Sequence, residues 1–432
     1  MMIFMLIALA IFVATYVLII TEWVNKMLAA MIGGFLIILT GILHQHEALL
    51  AVDWNVIFFL IGMMMVISVL KKTGVFMYLA IKTAKVARGK PLWIMILMFL
   101  VTAFLSAFLG SVTTVMILVP VVILICAELK ISPVSFIITM VIASNMGGAA
   151  TMVGDPPNIL IGSATSYTFL DFLFNLTPPI LIASGTSVVL MYLIYHKKLK
   201  VTNENRARLL SYKEDTLIKD KKLLIRSLVV LGLMLIALAM QSILHIEIAT
   251  ISMTAGLILL LMSDRKEVDQ VLTHDIDWVT LFFFIGLFIL VESLVKTGLI
   301  DKMANTIVAS TQGNTKKASM MILWMSGILS AFIDNVPFVA AMIPMVKTMG
   351  NMLGAGVDMH PVWWALSLGT CLGGNGTLIG ASSNIVAVGI SNRNGYPISF
   401  KQFTVIGALF TLNTLVVSAV YILVRYFWIR GL

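Results

Sequence analysis

Two carboxylates stand in apolar surroundings where a charge is unfavourable. Asp155 lies in the stretch from Ser144 to Gly162 (SNMGGAATMVGDPPNILIG), and Asp334 lies in Ser330-Ala331-Phe332-Ile333-Asp334-Asn335-Val336-Pro337-Phe338. Insertion scales place such a charge at about 2.5 to 3.5 kcal/mol at the centre of a membrane helix. Burial raises a carboxyl group's proton affinity and a counter-cation lowers it, so an acid held there can bind and release a proton or a cation. The competing reading is a structural carboxylate, with Asp155 capping a half-helix that starts near Asn158. Around the two acids is a set of small polar residues: Ser111, Thr113 and Thr114; Asn145, Thr151 and Asn158; Asn335; and Asn375, Thr377, Ser382, Ser383 and Asn384. The paired glycines Gly147-Gly148 and Gly373-Gly374 belong with them, as does Cys371 two residues before Gly373. Amide and hydroxyl groups, freed carbonyls and half-helix ends together could hold a small polar solute or ion without a charge. Singly, Ser and Thr in membrane helices more often bond their own backbone, and Cys371 can equally be a small packed hydrophobe.

Something must hold these residues in the bilayer. Pro156 and Pro157 remove two backbone donors, and Pro156 disfavours the α conformation at Asp155, so the segment is a broken helix. Its freed carbonyls cannot face lipid and must be buried in protein or line a wet cavity. Apolar runs predict spans near 1–20, 27–43, 54–70, 132–172 (broken), 175–195, 223–243, 247–263, 278–296, 361–391 (broken) and 402–424. Segments 91–128 and 317–352 are interrupted at Gly110-Ser111 and Asp334-Asn335. Each reads as a re-entrant hairpin with its tip at the midplane, the alternative being two ordinary spans joined by a short loop.

The chain repeats. Asp53-Trp54 and Lys72-Thr73-Gly74 recur as Asp277-Trp278 and Lys296-Thr297-Gly298, displaced by 224 positions, as Ser106-Ala107-Phe108 recurs at Ser330-Ala331-Phe332. Further on, the pattern Gly147-Gly148-x-x-Thr151-x-x-Gly154-x-x-x-Asn158 recurs from Gly373 to Asn384, displaced by 226. Each copy, 1–196 and 223–432, holds five spans and a hairpin, an odd number of crossings, so the second enters from the opposite side. The fold class expected is all-α and polytopic, with two inverted-topology repeats and discontinuous helices at the midplane, an arrangement that points to secondary transport. The Lys- and Arg-rich linker 197–222 falls on the cytoplasmic side by the positive-inside rule, although Lys296, Lys302, Lys316 and Lys317 then lie outside. Glu292 replaces Ser68 of the first copy, and an interfacial place or a working role both suit it.

Composition narrows the field. Of 432 residues, 60% are hydrophobic and 11% charged, too few polar groups to cover a soluble globule. The net charge of +9 sits in loops, which argues for topology and against a nucleic-acid partner. Two cysteines cannot build a disulfide framework or, alone, a four-ligand zinc site. The first apolar run reads as an uncleaved span of a plasma-membrane protein. The 29 methionines read as packing rather than as a metalloid route. An intramembrane aspartyl protease would need Gly-x-Gly-Asp before Asp155, but Met152 stands at the first glycine. No enzyme activity and no cofactor are expected.

The motifs Gly147-Gly148-Ala149-Ala150-Thr151 with Gly154-Asp155-Pro156-Pro157-Asn158, Ser330 to Phe338, Gly373 to Ser382 and His274-Asp275-Ile276-Asp277-Trp278 resemble the ion transporter superfamily. Within it they resemble the arsenite/antimonite permease and melanosomal P protein group. The resemblance implies a scaffold of spans holding a mobile unit of hairpins and broken helices. It also implies efflux of arsenite or antimonite, which residue chemistry would couple to protons through Asp155 and Asp334. A sodium/proton antiporter and a passive anion pathway are the alternatives, and a homodimer or a docked cytoplasmic ATPase subunit stays open. Where relatives carry Asp-Asn at the first hairpin tip, this chain has Gly110-Ser111, so that tip lacks a carboxylate.

Overall fold

The computed structural model describes residues 2–21, 23–197, 199, 201–211, 217–354 and 356–431; positions 198, 200 and 212–216 of the expected linker lie outside the described residues. The first half contains α1 (Met2–Thr21), α2 (Lys26–Leu39), α3 (Gln45–Ala51), α4 (Trp54–Lys72), α5 (Val75–Val86), α6 (Pro91–Leu109), α7 (Ser111–Leu129), α8 (Val134–Ala149), α9 (Pro156–Ala164) and α10 (Phe169–Tyr195). After α11 (Asn203–Leu210) the second half contains α12 (Lys221–Ala239), α13 (Gln241–Leu244), α14 (Ile248–Leu261), α15 (Arg265–Gln270), α16 (Trp278–Lys296), α17 (Leu299–Thr311), α18 (Thr315–Leu329), α19 (Asn335–Leu353), α20 (His360–Gly373), α21 (Ser382–Arg393) and α22 (Phe400–Ile422). Among the described residues there is no strand, and nine helices are long and apolar enough to cross a membrane.

Local chemistry explains the boundaries. In both Asp-Trp pairs the carboxylate caps its helix, Asp53 accepting from Val56 N at 3.1 Å and Asp277 from Thr280 N at 3.0 Å. Each indole reaches back to a carbonyl, Leu49 at 3.3 Å and Leu272 at 3.1 Å. The matching ends of α4 and α16 stop at Gly74 (φ +83°) and Gly298 (φ +76°), whose missing Cβ permits the left-handed conformation. Two expected boundaries need correction. The span near 27–43 ends at Leu39, and α3 follows it separately. The broken segment expected over 132–172 ends earlier too: residues 169–172 begin α10, because Thr168 and Asp171 form a capping box there.

The helices sort into two bodies. In one, α4 packs on α14 and α2 on α16; in the other, α6 packs on α8, α18 on α20, α7 on α21 and α9 on α19. Helix α4 crosses α14 at Gly62, where an added methyl would stand 2.3 Å from the Ser252 carbonyl carbon, and α16 crosses α2 at Gly286, 2.5 Å from that of Ala30. Two ion pairs brace this body across the halves. Lys72 lies 3.9 Å from Asp275, and Lys296 lies 2.6 Å from Glu47, whose carboxyl the ammonium holds below its usual range. Gly62→Ala should therefore force the α4–α14 crossing apart at a cost of about 1 to 3 kcal/mol. The check is thermal aggregation followed by size-exclusion chromatography: a clear drop in midpoint is expected for Gly62→Ala and none for Gly232→Ala, where nothing lies within 4 Å of the new methyl.

Candidate functional site

Both apolar segments 91–128 and 317–352 fold back on themselves. Between α6 and α7 the chain reverses at Gly110 alone (φ +85°, ψ +149°). An aspartate would be strained at that angle, which gives the glycine at this tip a backbone reason. Between α18 and α19 the turn runs over residues 330–334, and Asp334 keeps an ordinary φ of −47°. Each hairpin is sewn to the broken helix beside it by the same pair of bonds. Ser106 donates to the Ser144 carbonyl at 2.6 Å and Thr151 to that of Ala107 at 2.5 Å. In the second half Ser330 donates to the Thr370 carbonyl at 2.8 Å and Thr377 to that of Ala331.

The breaks themselves are held open by asparagines. Asn158 Nδ2 donates to the carbonyls of Ala149 (3.2 Å) and Thr151 (2.8 Å), and Asn384 Nδ2 to those of Gly374 (2.8 Å) and Thr377 (2.9 Å). These bonds satisfy carbonyls that the interrupted helices leave free. The two breaks also hold each other. Asn145 donates to Asn384 Oδ1 at 2.9 Å and Asn375 Oδ1 at 2.8 Å, and Ser383 donates to Asn145 at 2.6 Å. Cys371, the counterpart of Asn145 at a displacement of 226, lies 3.8 Å from Asn158 Oδ1, which also accepts from Ser367 at 2.6 Å. The glycines serve close approach: a Cβ on Gly147 would fall 2.0 Å from the Ala103 carbonyl oxygen, and one on Gly373 would fall 2.5 Å from that of Gly327.

At the centre Asp155 is 1% exposed. It holds the N-cap position of α9 in an extended conformation (φ −146°, ψ +138°), as the following proline requires, yet its side chain does not cap that helix. Instead Oδ1 accepts from Ser111 Oγ at 2.8 Å and Oδ2 from Asn335 Nδ2 at 3.1 Å. Ser111 and Asn335 are the first residues of α7 and α19, so the two hairpin tips share one carboxylate. Asp334 caps α19 through Val336 N at 3.2 Å and accepts from Ser382 Oγ at 2.6 Å. Ser382 in turn accepts from Lys26 Nζ at 2.8 Å.

A cavity of about 690 Å³ opens over this centre. Of the predicted set, Ser111, Thr113, Asp155, Asn335, Ser382 and Ser383 line it; Asp334 sits behind Ser382, and Thr114 returns its hydroxyl to the Gly110 carbonyl at 2.8 Å. Asn145, Thr151, Asn158, Cys371, Asn375, Thr377 and Asn384 are buried around the breaks outside the cavity wall. Lys71 and His274 line the cavity mouth, and the neighbouring Thr73 carbonyl accepts from Lys219 N at 3.0 Å, so the cavity opens on the face that carries the linker. Glu292 lies one turn before Lys296, away from the cavity.

A family model described as a citrate transporter matches residues 16–369. The chain belongs to this citrate transporter family. An uncharacterized transporter of Mycobacterium tuberculosis is 41% identical over 430 residues, covering 98% of this chain and 99% of that one. A 46 kDa membrane protein of Mycobacterium leprae is 39% identical, covering 97% and 98%. The human P protein is 30% identical over 502 residues, covering 97% of this chain and 60% of its own length. The crystal structure of the Alcanivorax borkumensis YdaH transporter, described as having an unusual topology, superposes with a TM-score of 0.58 at 14% identity, over 86% of this chain and 85% of that one. The chain is thus a multi-pass membrane protein of a transporter family, and the P protein side of the sequence resemblance is found among its relatives. The arsenite and antimonite side rests on the motifs alone.

In this citrate transporter family member, sequence reasoning missed Lys26. A signal was there: a lone lysine at the first position of α2 opposes the helix dipole and so asks for a partner. It also missed the contact between Ser68 and Asp275, which joins α4 to the π-helical turn Val271–Asp275 beside the cavity.

Proposed function

We propose that the chain is a secondary active transporter of a small carboxylate-class anion, driven by protons that load and leave Asp155 and Asp334. The observation that carries this reading is the gathering of four helix N-termini, those of α7, α9, α19 and α21, with Lys26 around one cavity. The N-termini of α7 and α21 carry no side-chain cap, so their amides remain available to a ligand, while α9, which opens on Pro156-Pro157, offers the positive end of its dipole without a free amide. Roughly half a positive charge per terminus, taken with Lys26 against Asp155 and Asp334, leaves roughly one net positive charge at the hairpin tips; of the other charged lining residues, Asp275 pairs with Lys72, Asp277 caps α16 and Lys71 adds a positive charge. Such a site favours an anion and gives a neutral solute no advantage. The family's citrate name agrees with that chemistry.

The machine we propose is the inverted pair of repeats, 1–196 and 223–432 about the linker 197–222. Pairings that recur with the halves exchanged support it, α4–α14 with α16–α2 and α7–α21 with α19–α9. The base of the first hairpin adjoins the linker face, where Asn205 donates to the Leu129 carbonyl at 3.2 Å. The base of the second adjoins α17 through Thr348 and Asp301 at 3.4 Å, and α17 follows the end of α16 that pairs with α3, on the other face. Tips that arrive from opposite faces and meet at Asp155 act as re-entrant hairpins. By the positive-inside rule the linker face is cytoplasmic and the cavity faces inward.

The test is flux into proteoliposomes of the full chain with labelled citrate, succinate and arsenite, with and without a proton gradient and sodium. Carboxylate accumulation that follows the proton gradient and ignores sodium is expected. A sodium requirement would move the coupling to the sodium alternative, carboxylate flux without gradient dependence to a passive anion pathway, and arsenite movement alone to metalloid efflux.

A further inference from the structure

A second cavity, of about 620 Å³, lies away from the transport site, between the start of α8, the end of α10 and the first turns of α22. Its polar groups gather at one end: Ser132 and Ser135 before and within the first turn of α8, Tyr195 at the last residue of α10, and Gln402 near the start of α22. Tyr195 is 4% exposed, and its hydroxyl stands beside Ser135 without a well-formed hydrogen bond. A buried hydroxyl so weakly paired can donate to an acceptor brought in from outside the chain. From Gln402 the wall continues through Val405, Ile406 and Leu409, spaced three, four and seven residues on and therefore on one face of α22. That face runs about 10 Å along the helix. Val405 is 65% exposed and Leu409 43%, so the deeper part of the cleft opens to the hydrocarbon.

The cleft is thus graded from polar to apolar along the membrane normal and open to lipid on one side. Charge decides which amphiphile suits it. Lys130 and Lys401 are both exposed and immediately precede the lining residues Ile131 and Gln402. The acid closest in sequence, Glu128, is engaged by Arg208 at 3.4 Å. We propose that this cleft binds one anionic phospholipid, with its phosphate within reach of Tyr195 and the two lysines and an acyl chain along Val405 and Leu409. The site is independent of the transport reading, since none of its residues lines the other cavity.

The experiment is native mass spectrometry of the detergent-purified full chain titrated with phosphatidylglycerol or phosphatidylcholine of the same acyl chains. The parent should retain one phosphatidylglycerol roughly fivefold or more in preference to phosphatidylcholine, the scale expected of basic residues at an anionic headgroup. Lys130→Asn combined with Lys401→Gln should remove that preference; asparagine tolerates the left-handed conformation of position 130 (φ +54°). Ser135→Phe, which fills the cleft, should abolish retention of the single lipid. Equal retention of the two lipids by the parent, or a preference that survives both variants, would overturn the proposal.

Discussion

Asp155→Asn should reduce proton-driven uptake by about 10- to 100-fold, the effect of one lost charge-assisted hydrogen bond at about 1.5 to 3 kcal/mol. The carboxylate is the single acceptor for both hairpin tips, Ser111 at 2.8 Å and Asn335 at 3.1 Å. An asparagine of the same shape keeps only one carbonyl oxygen, and its amide nitrogen then faces another donor. The substitution also removes the proton site itself, so the loss should be selective. Uptake driven by the gradient should fall, while exchange of labelled for unlabelled substrate, which needs no net proton movement, should persist. Asp334→Asn makes the comparison sharper. Its side chain caps α19 through Val336 N and accepts from Ser382, and asparagine is as good a cap as aspartate. Folding should survive in both variants, measured as protein recovered monodisperse from membranes. If Asp155→Asn accumulated substrate at the parental rate with its gradient dependence intact, Asp155 would be a structural carboxylate and the coupling assignment would be lost.

Much of the architecture could be read from the chain because its determinants are local. Paired prolines after Asp155, apolar runs of span length and the twice-used Asp-Trp helix start each act within a few residues of themselves, and apart from the two boundaries corrected above they lie where expected. The first reversal was legible for the same reason, a single glycine between two long apolar helices, whereas the second turns over residues 330–334 without one. What the sequence hid is set by long-range geometry. Asn158 and Asn384 have the residue types of a binding site, yet their amides close the carbonyls of their own breaks, and nothing in the local pattern separates a side chain that faces a solute from one that faces backbone. Cys371 is another case. Its neighbours Gly373 and Gly374 suggest a site, while its counterpart by displacement, Asn145, shows its place to be the contact between the two breaks. Nor could the missing carboxylate of the first tip be weighed from sequence. Gly110 takes φ +85°, and Asp155 from the adjoining break reaches Ser111 in its place, so each half brings one carboxylate to the site from a different element.

Lys26 gives the sharpest separation between anionic and neutral cargo. It lies 356 residues from Ser382 in sequence, and its ammonium donates to that hydroxyl at 2.8 Å while standing 5.3 Å from the centre of the Phe283 ring. Both residues line the cavity, so an entering carboxylate would meet the lysine and the uncapped start of α21 together. Lys26→Met keeps the length and apolar stem of the side chain and removes its charge and its donors. For an anionic cargo, one charge-assisted hydrogen bond is lost at about 1.5 to 3 kcal/mol, so half-saturation should move up by roughly 10- to 100-fold while the maximal rate changes little. Lys26→Arg should recover part of the affinity, since it restores the charge with a different shape. Arsenous acid carries no charge near neutral pH and would be moved equally well by the parent and by Lys26→Met. Concentration-dependent flux of succinate and arsenite through the same three proteins therefore decides the class of cargo: a methionine variant with unchanged carboxylate half-saturation would remove Lys26 from the site and take the anion reading with it.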